Sequence, residues 1–167
     1  MVLFEFTEPS GAAVRGWSAV GDRVMGGVSS GALRHDPGGF AVFEGEVSLA
    51  YGGGFASVRT EPRLVALSGF AGIELRARGD GRTYKLHLRG DPDFDAVLYT
   101  VRFETSADRF DDLRFPWGAF RPTFRGRAAP QAPPLDPARI FGFGLMTEGR
   151  RAGPFRLEIA RISAFRG

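Results

Sequence analysis

Apolar and polar side chains alternate with a period of two along nearly the whole chain, which leaves stacked β-sheets as the fold these residues can build. In Ala41–Leu49, Phe43, Val47 and Leu49 share one face, while Val42, Glu44, Glu46 and Ser48 share the other. Ile73, Leu75 and Ala77 alternate with Glu74, Arg76 and Arg78, and Tyr84, Leu86 and Leu88 alternate with Lys85, His87 and Arg89. Val97, Tyr99, Val101 and Phe103 oppose Leu98, Thr100, Arg102 and Glu104 in the same way. Near the end, Phe155, Leu157 and Ile159 set a parity that slips to Ile162 and Ala164, which predicts a bulge near Ala160–Arg161. The pattern amounts to about eight to ten strands and no convincing helix. Strands buried on one side only must pack in pairs of sheets, so an all-β, two-sheet antiparallel β-sandwich of jelly-roll type is expected. The 24 glycines and 11 prolines sit between the apolar runs as turn punctuation. No repeat or linker divides residues 1–167, which read as a single domain; Arg121–Pro137 reads as a long irregular surface connection.

Asp80-Gly81 between two alternating runs is a strong signal for a type I′ hairpin. Pairing across it sets Ala77 opposite Tyr84, Leu75 opposite Leu86 and Ile73 opposite Leu88. The outer face then carries Arg76 opposite Lys85, and Arg78, His87, Arg89 and Arg102 gather beside them against Glu74 and Glu104. Like charges directly opposite destabilise a sheet, so a carboxylate, a covering loop or an acidic ligand is expected to offset them. Arg76, Arg78, Lys85, His87 and Arg102 are therefore candidate ligand contacts, with Arg59 and Trp117 as further candidates.

Composition excludes several other functions. There is no cysteine, hence no disulfide and no thiol chemistry. No apolar run approaches the roughly 20 residues of a membrane helix, so membrane insertion is not expected. Met1–Phe6 enters an alternating strand without a leader-like pattern, which sets the cytoplasm as the expected location. The net charge is +3, and poor aromatic interleaving on the basic face argues against a nucleic-acid platform.

The remaining motifs are short. Trp17–Gly31 is a glycine-rich segment lacking the Lys-Ser/Thr pair of a phosphate loop, and Asp22, Met25, Gly26, Gly27 and Ser29 read as its structural framework. Asp91, Asp93 and Asp95 have the spacing that opens a calcium loop, but Ala96 and Arg102 stand where the EF-hand glycine and final ligand belong. His35 and His87 are isolated, so neither a metal nor a cofactor is expected. Two Arg-Gly-Asp tripeptides, at Arg78 and Arg89, are accounted for by turn chemistry. Glu44 and Glu46 stand about 6.6 Å apart by two steps of strand rise, near the carboxylate separation of inverting glycosidases. That spacing keeps an enzyme acting on glycans or sugar nucleotides as the alternative to a binding module.

Several motifs in order resemble one family. They are Asp22-Arg23-Val24-Met25-Gly26-Gly27-Val28-Ser29, Phe43-Glu44-Gly45, Gly53-Gly54-Phe55-Ala56-Ser57 and Arg78-Gly79-Asp80-Gly81-Arg82-Thr83-Tyr84. Phe115-Pro116-Trp117, Phe120, Arg125-Gly126-Arg127 and Gly153-Pro154-Phe155 continue the series. From about Phe4 to Phe165 the chain is similar to the complex I intermediate-associated protein 30 family. The resemblance implies a galactose-binding-like jelly roll, similar to some carbohydrate-binding modules. It also implies an assembly factor or chaperone for respiratory complex I (NADH:ubiquinone oxidoreductase), and supplies no catalytic residues. The sequence thus points to a non-catalytic module for a protein partner, such as respiratory complex subunits, or for a carbohydrate-like ligand.

Overall fold

The spine of the molecule is its longest strand, β13 (Gly153–Phe165), which changes partners half-way along. The computed structural model describes residues 1–21, 30–50, 54–93 and 96–167. Before the bulge β13 pairs with β4 (Phe40–Val47), and beyond it β1 (Val2–Glu5) takes that place. On its other side β13 pairs with β6 (Gly72–Arg78), and the register slips between Ile159 and Arg161, where the parity change placed a bulge. With β3 (Ser30–Asp36) beside β4 and β9 (Asp111–Pro116) beside β6, these strands form a six-stranded antiparallel sheet.

The second sheet has seven strands. Its order is β11 (Arg127–Ala128), β10 (Arg121–Phe124), β8 (Leu98–Glu104), β7 (Thr83–Arg89), β12 (Gly142–Thr147), β5 (Ala56–Thr60) and β2 (Trp17–Gly21). Every described pairing within both sheets is antiparallel, and the described regular structure consists of strands and short 3-10 turns. The two inner faces meet in one core. Phe43, Leu75, Leu157 and Ile159 come from the six-stranded sheet, and Val58, Tyr84, Leu86, Leu88 and Leu145 from the seven-stranded one. This is the sandwich that alternation required.

The hairpin expected at Asp80-Gly81 does not form. β6 and β7 lie in different sheets, so the link between them is a corner from one layer to the other. A type I′ turn needs positive φ at both central residues; Gly81 has φ 87°, whereas Arg125 is the described non-glycine residue with positive φ. Asp80 instead uses its carboxylate to tie the corner down. It accepts from the Arg82 and Arg156 amides at 3.0 and 2.8 Å and from the Tyr84 hydroxyl at 2.9 Å. Ala77, Leu75 and Ile73 still face inward, as do Tyr84, Leu86 and Leu88, but they meet through the core rather than along a ladder.

The positive-φ pair falls at Arg125 (49°) and Gly126 (79°), the two-residue loop of the β10–β11 hairpin. The first part of the stretch expected to be irregular, Arg121–Pro137, is therefore ordered sheet.

Candidate functional site

Splitting β6 from β7 divides the expected basic face in two. Arg76 and Arg78 project from the six-stranded sheet, whose outer face is a lattice of alternating charge. Arg76 stands opposite Arg161 on β13, and each has its own carboxylate: Asp112 at 3.0 Å and Glu5 at 2.8 Å. Arg78 bonds Glu158 at 2.5 Å, with its guanidinium 4.6 Å from the Phe110 ring centre. Arg156 joins Glu44 at 3.1 Å and Glu158 at 2.9 Å, and Arg34 joins Glu44 at 2.7 Å. Burial pushes Glu158 up, but hydrogen bonds from Arg78 and Arg156 outweigh it and hold the carboxyl below its ordinary value. Arg34, Arg76, Arg78, Arg156 and Arg161 thus each have a carboxylate partner.

Glu44 bears on the glycosidase alternative. The hydrogen bond from Arg34, together with the Arg34 and Arg156 charges, lowers its pKa. A general acid needs the opposite shift, so Glu44 is not prepared for that role.

Lys85, His87, Arg102 and Arg59 lie together on the outer face of the seven-stranded sheet. Its central row runs Ser18, Arg59, Gly144, His87, Thr100 and Arg121 across six strands. The next row runs Val20, Ser57, Met146, Lys85 and Arg102. The like-charge opposition inferred from sequence, Arg76 against Lys85, does not occur, because β6 and β7 lie in different sheets; Lys85 stands opposite Arg102 on β8 instead. Arg102 reaches Glu148 at 3.6 Å, and Lys85 makes no ion pair among the described residues.

His87 is 3% exposed, and its Nε2 has no hydrogen-bond partner. The ring lies directly over Gly144, where an added Cβ would stand 1.9 Å from Nε2, so only glycine leaves room for it. Burial, reinforced by the charges of Arg59, Arg89 and Lys85, pushes the imidazole pKa down to about 3 and keeps it neutral. Arg89, also buried, donates to the carbonyls of Pro92 and Asp93 at 2.9 and 2.8 Å.

Lys85, His87, Leu98, Thr100, Thr123, Gly126 and Met146 enclose a notch of about 40 Å³ on this face. The Thr100 and Thr123 hydroxyls meet at 3.1 Å on its wall, and the β10–β11 turn closes one side through Gly126. Cations, two hydroxyls and a neutral imidazole suit an oxygen-rich, negatively charged group. Among the described residues in these rows there is no Phe, Tyr or Trp, the flat surface against which a sugar ring packs.

The other expectations resolve individually. Trp117 donates from Nε1 to the Phe70 carbonyl at 2.7 Å and packs against the core, outside the notch. Asp22, Met25, Gly26, Gly27 and Ser29 lie outside the described residues, as does Asp95. Asp91 closes a turn onto the Asp93 amide at 2.8 Å, and no group of three metal-ligating side chains occurs among the described residues. Sequence reasoning missed Thr123, Met146 and Gly126 because their strands are brought alongside by long-range pairing. Thr100 shares the parity of Arg102 and was visible in the alternation.

The family profile described as Complex I intermediate-associated protein 30 matches residues 4–159. The chain belongs to this family. It is 24% identical over 95% of its length to the mitochondrial Complex I intermediate-associated protein 30 of Drosophila melanogaster, and spans 60% of that relative. A solved family 11 carbohydrate-binding module from Clostridium thermocellum, in complex with a β-1,3-1,4-mixed-linked tetrasaccharide, superposes with a TM-score of 0.69. That likeness covers 99% of this chain and 95% of the module at 13% identity, and establishes the galactose-binding-like jelly roll. The agarase AgWH50C carries a similar domain, with a TM-score of 0.60 and 13% identity over 98% of this chain and 24% of the agarase chain. No described helix is long and apolar enough to cross a membrane.

Proposed function

We propose that this chain is a non-catalytic binding module that captures a protein client during assembly of a respiratory complex, using the outer face of the seven-stranded sheet. The carrying observation is that Lys85, which makes no ion pair among the described residues, stands opposite Arg102 on the same sheet. A sheet that sets like charges opposite one another is less stable for it, and a partner bearing the opposite charge reverses the sign of that contribution. On the opposite face a wider cavity of about 470 Å³ opens beside Glu44, Asp80 and Arg156, but Arg34, Arg76, Arg78, Arg114, Arg156 and Arg161 are all ion-paired there.

A carbohydrate-like ligand is the second reading, supported by the tetrasaccharide on the structurally similar module and by the hydroxyls of Thr100 and Thr123. The lack of an aromatic ring in the described rows weighs against it. The deciding experiment is quantitative capture of purified respiratory-complex subunits by the chain and by its Lys85→Glu/Arg102→Glu variant, beside an oligosaccharide panel. Capture by the unaltered chain and its loss in the variant are expected. Saturable oligosaccharide binding with no subunit captured would give the second reading precedence. Cell fractionation separates the expected cytoplasmic location from the mitochondrial one named for the fly relative.

A further inference from the structure

We infer that the notch between Lys85, Thr100, Thr123 and Met146 seats the carboxylate side chain of an acidic peptide segment in the client. This deepens the proposed function and rests on it. The notch volume, about 40 Å³, exceeds the 10–15 Å³ or so that one water needs and suits a single carboxylate rather than a sugar ring. Its wall supplies the hydroxyls of Thr100 and Thr123, which meet at 3.1 Å; Thr123 also donates to the Leu98 carbonyl at 3.3 Å, and a hydroxyl that exchanges one of these bonds can donate to an incoming oxygen. Lys85 brings an ammonium with no ion pair among the described residues, and Arg102, 68% exposed at its side chain, holds Glu148 only at 3.6 Å. A carboxylate arriving here gains two cations that the sheet has placed against each other.

The geometry also fixes how the ligand approaches. His87 and Gly144 form a rigid floor, because the imidazole lies on the glycine and cannot sink further. Leu98 and Met146 give the notch an apolar rim suited to the methylenes of a glutamate side chain. Gly126 leaves the β10–β11 side free of a side chain, so a peptide backbone can pass over the turn while one side chain points down. Phosphate esters would need more room than one carboxylate, and a uronate would need a surface for its ring.

The test titrates the isotope-labelled chain with the octapeptide (Gly-Glu)4, its isostere (Gly-Gln)4, and trigalacturonate, following backbone amide shifts. The glutamate peptide is expected to shift Lys85, His87, Thr100, Arg102 and Thr123, at least tenfold more tightly than the glutamine peptide. Raising NaCl from 50 to 300 mM should weaken it several-fold, and Lys85→Gln/Arg102→Gln should weaken it about tenfold with the spectrum otherwise retained. Equal binding of both peptides overturns the carboxylate seat while leaving protein capture standing. Shifts caused by trigalacturonate alone overturn both the seat and the protein reading. No shift with any probe removes the seat, and subunit capture then decides the broader function independently. The peptide comparison uses the unaltered chain, so it holds even if a variant misfolds.

Discussion

Lowering the pH from 7.5 to 5.0 should destabilise this chain by about 2 kcal/mol through His87 alone. Its imidazole titrates near 6.5 when unfolded and is pushed down to about 3 in the fold by burial and by Arg59, Arg89 and Lys85. The unfolded chain therefore binds a proton that the folded chain refuses. Stability is fully present above pH 6.5 and is lost as pH falls toward 3, with a slope approaching about 1.4 kcal/mol per pH unit below pH 6. Integrating to pH 5.0 gives about 2 kcal/mol, and to pH 4.0 about 3 kcal/mol. Asp36, Glu44, Asp111 and Glu158 are also held below their ordinary values, and their contribution is lost at lower pH as they are protonated. The interval from 7.5 to 5.0 therefore isolates the histidine. Urea unfolding followed by tryptophan fluorescence should be run at pH 7.5, 6.5, 5.5 and 5.0 on the unaltered chain and on His87→Gln. The difference between the two isolates the contribution of His87. A loss under about 0.5 kcal/mol in the unaltered chain, or an equal loss in the variant, would refute a buried neutral imidazole.

Gly144→Ala should cost about 2 kcal/mol, because its Cβ would lie 1.9 Å from His87 Nε2; pairing it with His87→Ala should recover most of that in a double-mutant cycle. Glu158→Gln removes the shared partner of Arg78 and Arg156 beneath a side chain only 10% exposed, and should cost about 2 kcal/mol by urea titration without affecting subunit capture. Asp80→Ala strips acceptors from the Arg82 and Arg156 amides and the Tyr84 hydroxyl, so a loss of about 2–3 kcal/mol is expected by thermal unfolding. Arg125→Asn should stabilise by about 0.5 kcal/mol, since asparagine tolerates φ 49° better than arginine; unchanged or lower stability would mean that the Phe124 contact matters more.

The layers were legible in the sequence and the connections between them were not. Burial acts on one residue at a time, so period-two alternation alone marked Leu75, Leu86 and Leu157 as inward and located the bulge near Ala160. Pairing depends on where the next strand goes. Asp80-Gly81 has the residues of a hairpin, yet Asp80 finds three donors at once, one of them the Arg156 amide 76 residues away. A local propensity of a few tenths of a kcal/mol does not compete with three hydrogen bonds. The Arg125-Gly126 turn is the converse: arginine disfavours positive φ, but the pairing of β11 with β10, itself held to β8, enforces it.

The same mistake about partners explains what became of the basic face. Placed on one sheet, Arg76, Arg78, Lys85, His87 and Arg102 looked like a single surface in need of an anion. Divided between two, they separate into groups with opposite electrostatics. On the six-stranded sheet, β9 and β13 bring Asp112 and Glu158 to Arg76 and Arg78, and the need disappears. On the seven-stranded sheet, β8 brings another cation to Lys85, and β12 brings a glycine that lets His87 settle among arginines with one nitrogen unbonded. Stability alone gives no reason to set Lys85 against Arg102 beside a buried imidazole with an unmet hydrogen bond. Under the proposed function a carboxylate from the partner would give Lys85 the counter-charge that it does not have among the described residues.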